Sequence, residues 1–297
     1  MATPQPGIFA LGTASHAYLE LDLVPGVSSG MAVERVASLR EPRTTIGGVN
    51  LVAGFRPELW ATVAPDASPA DLAGFNEPIS GPGGTLPATQ HDVVIWLTGA
   101  SYDVVFDLSR AVVVALEDTA TVANEIVGWP YHHDLDLTGF IDGTENPTLV
   151  EATAAAIVPD DAPGEGSSVL LLQQWEHDAI GWERLPVPAQ EAIIGRRKAD
   201  SIELDPKPPA SHVARTDQET FGKIFRRNIA YGTLTRHGTI FVGFCATQGP
   251  LAAMLDSMAG IGHPPDALTE VATALTGGYY VVPSAEALAT FGTPADG

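Results

Sequence analysis

Along residues 16–23 the chain alternates: His16, Tyr18, Glu20 and Asp22 interleave with Ala17, Leu19, Leu21 and Leu23. A period of two predicts a strand. Over residues 30–39 the period becomes helical, with Met31, Val33, Val36 and Leu39 on one side. A second strand is predicted over 91–99, leading into a long helix over 102–116 striped by Val105, Leu108, Val112 and Leu116. The theme then repeats. Residues 168–175 and 237–246 read as strands and 188–195 as a short helix. Residues 250–258 read as a helix opened by Pro250 and closed by Gly260. Strand-helix-strand-strand-helix-strand order in each half predicts two ferredoxin-like units sharing one sheet system, an α+β fold. The acid-, glycine- and proline-rich stretch 158–167 is the expected linker. It divides residues 1–157 from 158–297 within one compact unit.

Composition narrows the setting. Apolar residues make up 45% of the chain and charged ones 17%, enough for a sizeable core. No apolar run approaches the ~20 residues of a membrane span. The first basic residue is Arg35, so the stretch before it lacks the basic region of a secretory signal. Cys245 is the lone cysteine and lies in an apolar segment, as suits a reducing compartment. The cytoplasm is the expected location. A net charge of -21 disfavours nucleic acid and anionic membranes as partners. Yet most of the basic residues crowd between Arg196 and Arg236. That crowding points to a local anion site or to a solvated face or interface.

Two segments carry candidate chemistry. In the run Gly139-Phe140-Ile141-Asp142-Gly143-Thr144-Glu145-Asn146-Pro147, a carboxylate sits between an apolar pair and a turn-forming glycine. Phe140 and Ile141 are expected to anchor it in a core. The plain reading is an Asp-Gly hairpin turn; the functional one is an acid held rigidly at the edge of an apolar space. The second segment begins at Ser211-His212-Val213-Ala214-Arg215 and continues through a basic strand over 224–232. On a strand, Arg226 and Asn228 share a face while Phe225 and Ile229 point into packing. Arg227 falls on the apolar side, where an ion pair is the only evident use for it. No cysteine pair, HExxH helix, phosphate-binding glycine loop or nucleophile elbow occurs. His132, His133 and Asp134 form a candidate metal-binding group, but adjacent histidines point apart and a plain loop is the better reading.

The nine-residue run around Asp142 resembles, without a substitution, the signature GFIDGTENP of the dye-decolorizing peroxidases. The segments 5–13 and 275–284 are similar to that family as well, so the resemblance spans nearly the whole chain and favours the B-type group. It implies a dimeric α/β-barrel-like haem protein fold built from the two ferredoxin-like halves. It further implies haem b, with His212 as axial iron ligand, and hydrogen peroxide reduced while dyes, phenolics or similar small organic donors are oxidised by one-electron steps. Asp142, Arg226 and Asn228 match the distal catalytic set. Asp266 sits where the family places the histidine's carboxylate partner, though a helix N-cap is an equal reading. Arg215, or another of the clustered basic residues, would receive the haem propionates. Trp175, Trp182 and Tyr231 are conceivable electron relays, with core packing the commoner role for such residues. A homo-oligomer is expected. The alternative on the same fold is a non-enzymatic haem carrier or iron-releasing protein.

Overall fold

The computed structural model describes residues 2–39, 48–132 and 134–292. Its first half runs β1 (Ser15–Leu23), α1 (Ser29–Ala37), β2 (Asn50–Phe55), α2 (Pro57–Val63), a small hairpin of β3 (Ile79–Gly81) and β4 (Gly84–Leu86), β5 (Val93–Gly99), α3 (Tyr102–Leu116) and β6 (Ala120–Trp129). After α4 (Leu149–Ala156) the second half begins with β7 (Ser168–His177). The short helices α5 (Ala179–Arg184), α6 (Val187–Ile194), α7 (His212–Arg215) and α8 (Gln218–Phe221) follow. Then come β8 (Phe225–Arg226), β9 (Ile229–Gly232), β10 (His237–Cys245), α9 (Gly249–Ala259), β11 (Ala272–Ala274), β12 (Gly278–Val282) and α10 (Ala285–Ala289).

The strands of the first half lie in the order β2-β5-β1-β6, and those of the second in the order β12-β7-β10-β9, the same arrangement twice. Every pairing is antiparallel. The two sheets join edge to edge where β12 meets β2 at Val281 and Phe55, and where β6 meets β9 at Gly128 and Tyr231. A closed ring results, with β11 and β8 as outer extensions of β7 and β10. Closure leaves no edge along the ring itself.

Side-chain alternation then sorts the core into an inside and an outside. Tyr18, Val94, Trp96, Leu170, Leu172, Val242, Phe244 and Tyr280 come from both halves and fill one interior cluster. Their neighbours Leu19, Val93, Ile95 and Leu97 face outward and are covered by Val33 and Val36 of α1 and by Val105, Val112 and Leu116 of α3. All seven residues of β5 are consequently buried, and the strand reads as a continuous apolar run. On the second half, Leu251, Met254, Leu255 and Met258 of α9 pack against Val169, Leu171 and Trp175.

The predicted elements are present within a few residues of their expected ends, and β2, β6 and β12 are the ring strands added to them. The basic strand over 224–232 is instead two short strands, β8 and β9, broken at Arg227 and Asn228. The stretch 158–167 closes on itself, with Val158 N–H donating to Ser167 O at 2.8 Å and Gly166 N–H to Val158 O at 3.0 Å.

Candidate active site

The odd-numbered face of β7 carries Leu171, Gln173, Trp175 and His177, and β10 adds Thr239 and Phe241. Together they form one wall of a cavity with about 1160 Å³ of empty space, part of it open to solvent. Opposite lie α7, α9 and the loop that follows β6. Most of the lining is apolar: Phe140, Ile194, Val213, Ile224, Leu251, Met254 and Leu268 among others.

His212 opens α7 and borders this cavity. Its Nδ1 lies 2.7 Å from Oδ2 of Asp266, whose side chain is fully buried. Burial works against a charged imidazole here, but the charge and hydrogen bond of Asp266 outweigh it and hold the histidine above its ordinary pKa. Nε2 is thereby the nitrogen available to the cavity. Asp266 also caps the following helical turn, its Oδ1 accepting from Leu268 N–H at 2.9 Å. One carboxylate oxygen thus faces His212 and the other caps the turn.

Asp142, Arg226 and Asn228 meet at the same cavity. Oδ1 of Asp142 accepts from the N–H of Gly143 at 2.7 Å and from Nδ2 of Asn228 at 3.3 Å, with Nη2 of Arg226 at 3.8 Å. Asn228 is itself fixed, because its Oδ1 accepts from Val242 N–H at 3.1 Å. The expected parity therefore holds across the break in the strand: Phe225 and Ile229 are buried while Arg226 and Asn228 reach the cavity.

Asp142-Gly143 is not the tip of a hairpin. A bridge between Leu135 and Ile141 makes the hairpin, and Gly139 turns it with a φ of 82° that other residues adopt at a cost. Phe140 is buried as expected. Ile141 is not: it is 43% exposed and borders the cavity, because adjacent residues of an extended segment face opposite ways.

Arg227 makes no ion pair among the described residues. Its guanidinium donates to the carbonyls of Ile8 at 2.8 Å and Ala10 at 2.7 Å and lies 5.2 Å from the Trp96 ring centre. Carbonyl oxygens and a π face replace the expected carboxylate. Much of the basic cluster is neutralised locally: Arg196 by Glu145 and Glu203, Arg197 by Asp200, Lys207 by Glu203 and Asp217, Arg236 by Glu176. Buried Arg215 differs, since its Nε and Nη1 have no partner. Trp175, Trp182 and Tyr231 are all buried. Among the described residues no group of three metal ligands occurs, and His133 lies outside them.

Several contributors carry no mark in the sequence pattern. Asn146 clamps the main chain of Arg226, accepting its N–H at 2.9 Å and donating to its carbonyl at 2.9 Å. That residue stands inside the nine-residue run, where an amide so close to an acid was the available clue. Asp136 also borders the cavity. Burial and then the charge of Asp142 push its carboxyl up to about 6. His177 on β7 is pushed down to about 4 by burial and then by His237, so it stays neutral.

Residues 33–130 match the family described as Dyp-type peroxidase, N-terminal, and residues 133–287 match Dyp-type peroxidase, C-terminal. The chain belongs to the Dyp-type peroxidase family. Dye-decolorizing peroxidases of Mycolicibacterium paratuberculosis and Mycobacterium tuberculosis are each 34% identical to it over 86% of its length, covering 74% and 78% of their own. Among solved structures, DyPB from Rhodococcus jostii superposes with a TM-score of 0.85 at 31% identity, over 97% of this chain and 98% of that one. A putative Dyp-type peroxidase from Shewanella oneidensis gives 0.88 at 28% identity, over 98% and 99%. A variant of the Rhodococcus jostii protein was solved in complex with heme. Dyp-type peroxidases are haem enzymes, and haem peroxidase function comes with membership. The Rhodococcus jostii neighbours are consistent with the B-type group.

Proposed function

We propose that this cavity holds haem b and that the residues around it run a peroxidase reaction on hydrogen peroxide and small organic donors. The donor set suits the group. His212 offers Nε2, Asp266 anchors the opposite nitrogen and the walls are apolar. Arg215 has two buried guanidinium nitrogens without a partner, as a propionate carboxylate would require, although it stands behind His212 in sequence and is not among the residues that line the cavity. When bound, haem supplies the redox-active iron that passes electrons from donors to peroxide. Everything else falls to the side chains. A carboxylate oxygen of Asp142 takes a proton from peroxide and returns it to the departing oxygen. The guanidinium of Arg226 stabilises the negative charge that develops there. Asn228 keeps the Asp142 carboxylate turned inward.

One observation carries this reading: a histidine tied to a buried carboxylate and an Asp-Asn-Arg set border one cavity. Carriage of haem alone has no need of the second group. The test mixes haem-loaded protein with hydrogen peroxide and a phenolic donor. Wild type turns over, and Arg226→Leu keeps its haem while losing about 10²–10³ in rate. Wild-type protein that binds haem yet leaves peroxide unconsumed overturns the reading.

The same proposal places the division of the chain at 157/158, with the distal acid in the first part and the haem ligand in the second. Tyr102, Phe106 and Val114, all exposed on α3, support a homo-oligomer. Among the described residues no helix is long and apolar enough to cross a membrane. A cytoplasmic location is supported by the single, buried Cys245.

A further inference from the structure

A second cavity lies behind the Asp142 loop, with about 970 Å³ of empty space that includes open solvent. It is bordered by Leu11, Tyr131, Asp134 and Leu149, and it shares Asp136, Asp142, Arg226, Asn228 and Thr239 with the first cavity. These five side chains thus stand in the wall between the two spaces. Asp142, Arg226 and Asn228 have roles above, and the Thr239 hydroxyl meets His177 Nε2 at 3.3 Å. Asp136 is the carboxyl left over.

The hairpin explains its placement. With Leu135 opposite Ile141, Asp136 pairs with Phe140, its N–H donating to Phe140 O at 3.0 Å, and Asp142 N–H donates to Asp134 O at 2.7 Å. Asp136 and Asp142 are then diagonal neighbours on one face, about 7–8 Å apart at the backbone, near enough for the charge of Asp142 to act on Asp136. The N–H groups of Thr138 and Phe140 and the hydroxyl of Thr138 turn toward the Asp136 carboxyl. Burial and the like charge of Asp142 nonetheless win, and the group keeps its proton up to about pH 6. Arg226, 3.8 Å from Asp142, draws the negative charge of the pair to that side. Other ionisable groups face the same space. Asp134 and Glu145 flank the motif, Arg227 and Tyr131 border the outer cavity, and His212 on α7, His177 on β7 and Arg196 border the inner one. His177 is neutral, and Arg196 is held by Glu145 and Glu203.

We propose that Asp136 is a positioning residue for protons, taking them from water in the outer cavity and handing them to Asp142. This inference rests on the peroxidase reading. In that reaction, one hydrogen peroxide and two donor O–H groups become two waters and two donor radicals. Donors too large for the inner cavity give up electrons at its rim and release their protons to solvent. An equal number of protons must then re-enter the buried space to complete the waters. Asp136 gives its proton to Asp142 and regains one from the outer cavity, so no proton is gained or lost by the protein over a cycle.

The test compares wild type, Asp136→Asn and Asp136→Glu as haem-loaded proteins. It combines the pH profile of donor oxidation with infrared spectra of the resting proteins. Asparagine still accepts from Thr138, which preserves the turn. Wild-type turnover is expected to fall as pH rises through about 6. Asp136→Asn should be slower below that point by about 10²-fold, the lower end of a positioned acid–base contribution, and should lack that limb. Asp136→Glu should recover most of the rate with the limb displaced. The infrared band of a buried protonated carboxyl should fade over the same pH range in wild type and be missing from Asp136→Asn. An Asp136→Asn profile that keeps the wild-type limb overturns the proposal, as does equal slowing of both variants with the limb unmoved. Absence of peroxide turnover in wild type would instead sink the peroxidase reading, and the infrared band would still report where the proton sits.

Discussion

On the first half of the ring, α1 and α3 lay apolar stripes over the outward side chains of β1 and β5. On the second half the strand order is the same, and α9, eleven residues long, lies on the sheet. The place taken by α1 goes to α5, α6, α7 and α8, pieces of four to eight residues joined by irregular chain. Such pieces cannot cover a twisted sheet face. What they leave uncovered is the cavity, and the first residue of α7 is His212. One topology therefore yields a sealed layer where the crossover is a regular helix and a binding chamber where it is broken up.

That contrast can be broken at its chemical end first. His212→Ala should leave the fold standing and abolish haem uptake, read as loss of the Soret band; normal haem content would show the ligand to be misassigned. At the sealed end, Leu116→Ala removes a fully buried side chain from α3 and should cost about 2–5 kcal/mol in urea unfolding. Haem-loaded Leu116→Ala should still turn over peroxide at the wild-type rate, and a matching loss of activity would mean that the halves are not separable. Asp266→Asn sharpens the comparison further. It should weaken haem affinity or activity by about 10–100-fold, because the imidazole loses its anionic partner. An unchanged haem spectrum and affinity would reduce Asp266 to a helix cap.

The smallest effect concerns pH. Asp136 has a folded-state pKa raised to about 6, above that of an unfolded aspartate. Its contribution is intact in acid and is lost as pH rises through about 6. Roughly 1–3 kcal/mol of stability should therefore disappear between about pH 4 and 7 on its account. The difference between wild type and Asp136→Asn across that range isolates the term, since all other groups are common to both. A difference that does not vary with pH would show the carboxyl to be ordinary.

Much of this was legible in the residues, and the failures have physical causes. The stripe of α3 reads directly because a helix with one buried face writes its period into the sequence. β6 does not, because its pairing with β1 shifts register between Glu20 and Leu21 and breaks the alternation. β2 is short and carries Gly54 next to its last residue, which weakens the strand signal. The shared face of Arg226 and Asn228 was visible because parity is a local property. The partners of Arg227 were not, since Ile8 and Ala10 arrive from the far end of the chain. Asp136 gave no signal at all. Only the hairpin and the two cavities distinguish it from other acids in a strongly acidic protein.

Asn146 has one more effect, apart from the reaction. β8 is the outermost strand on its side, and residues there offer a free peptide N–H and carbonyl to any extended chain that passes. By taking both groups of Arg226, the Asn146 amide imitates the backbone of a neighbouring strand and occupies the docking position. The loop that brings an acid to the chamber thus also seals a sticky margin against recruitment of foreign or newly made polypeptide.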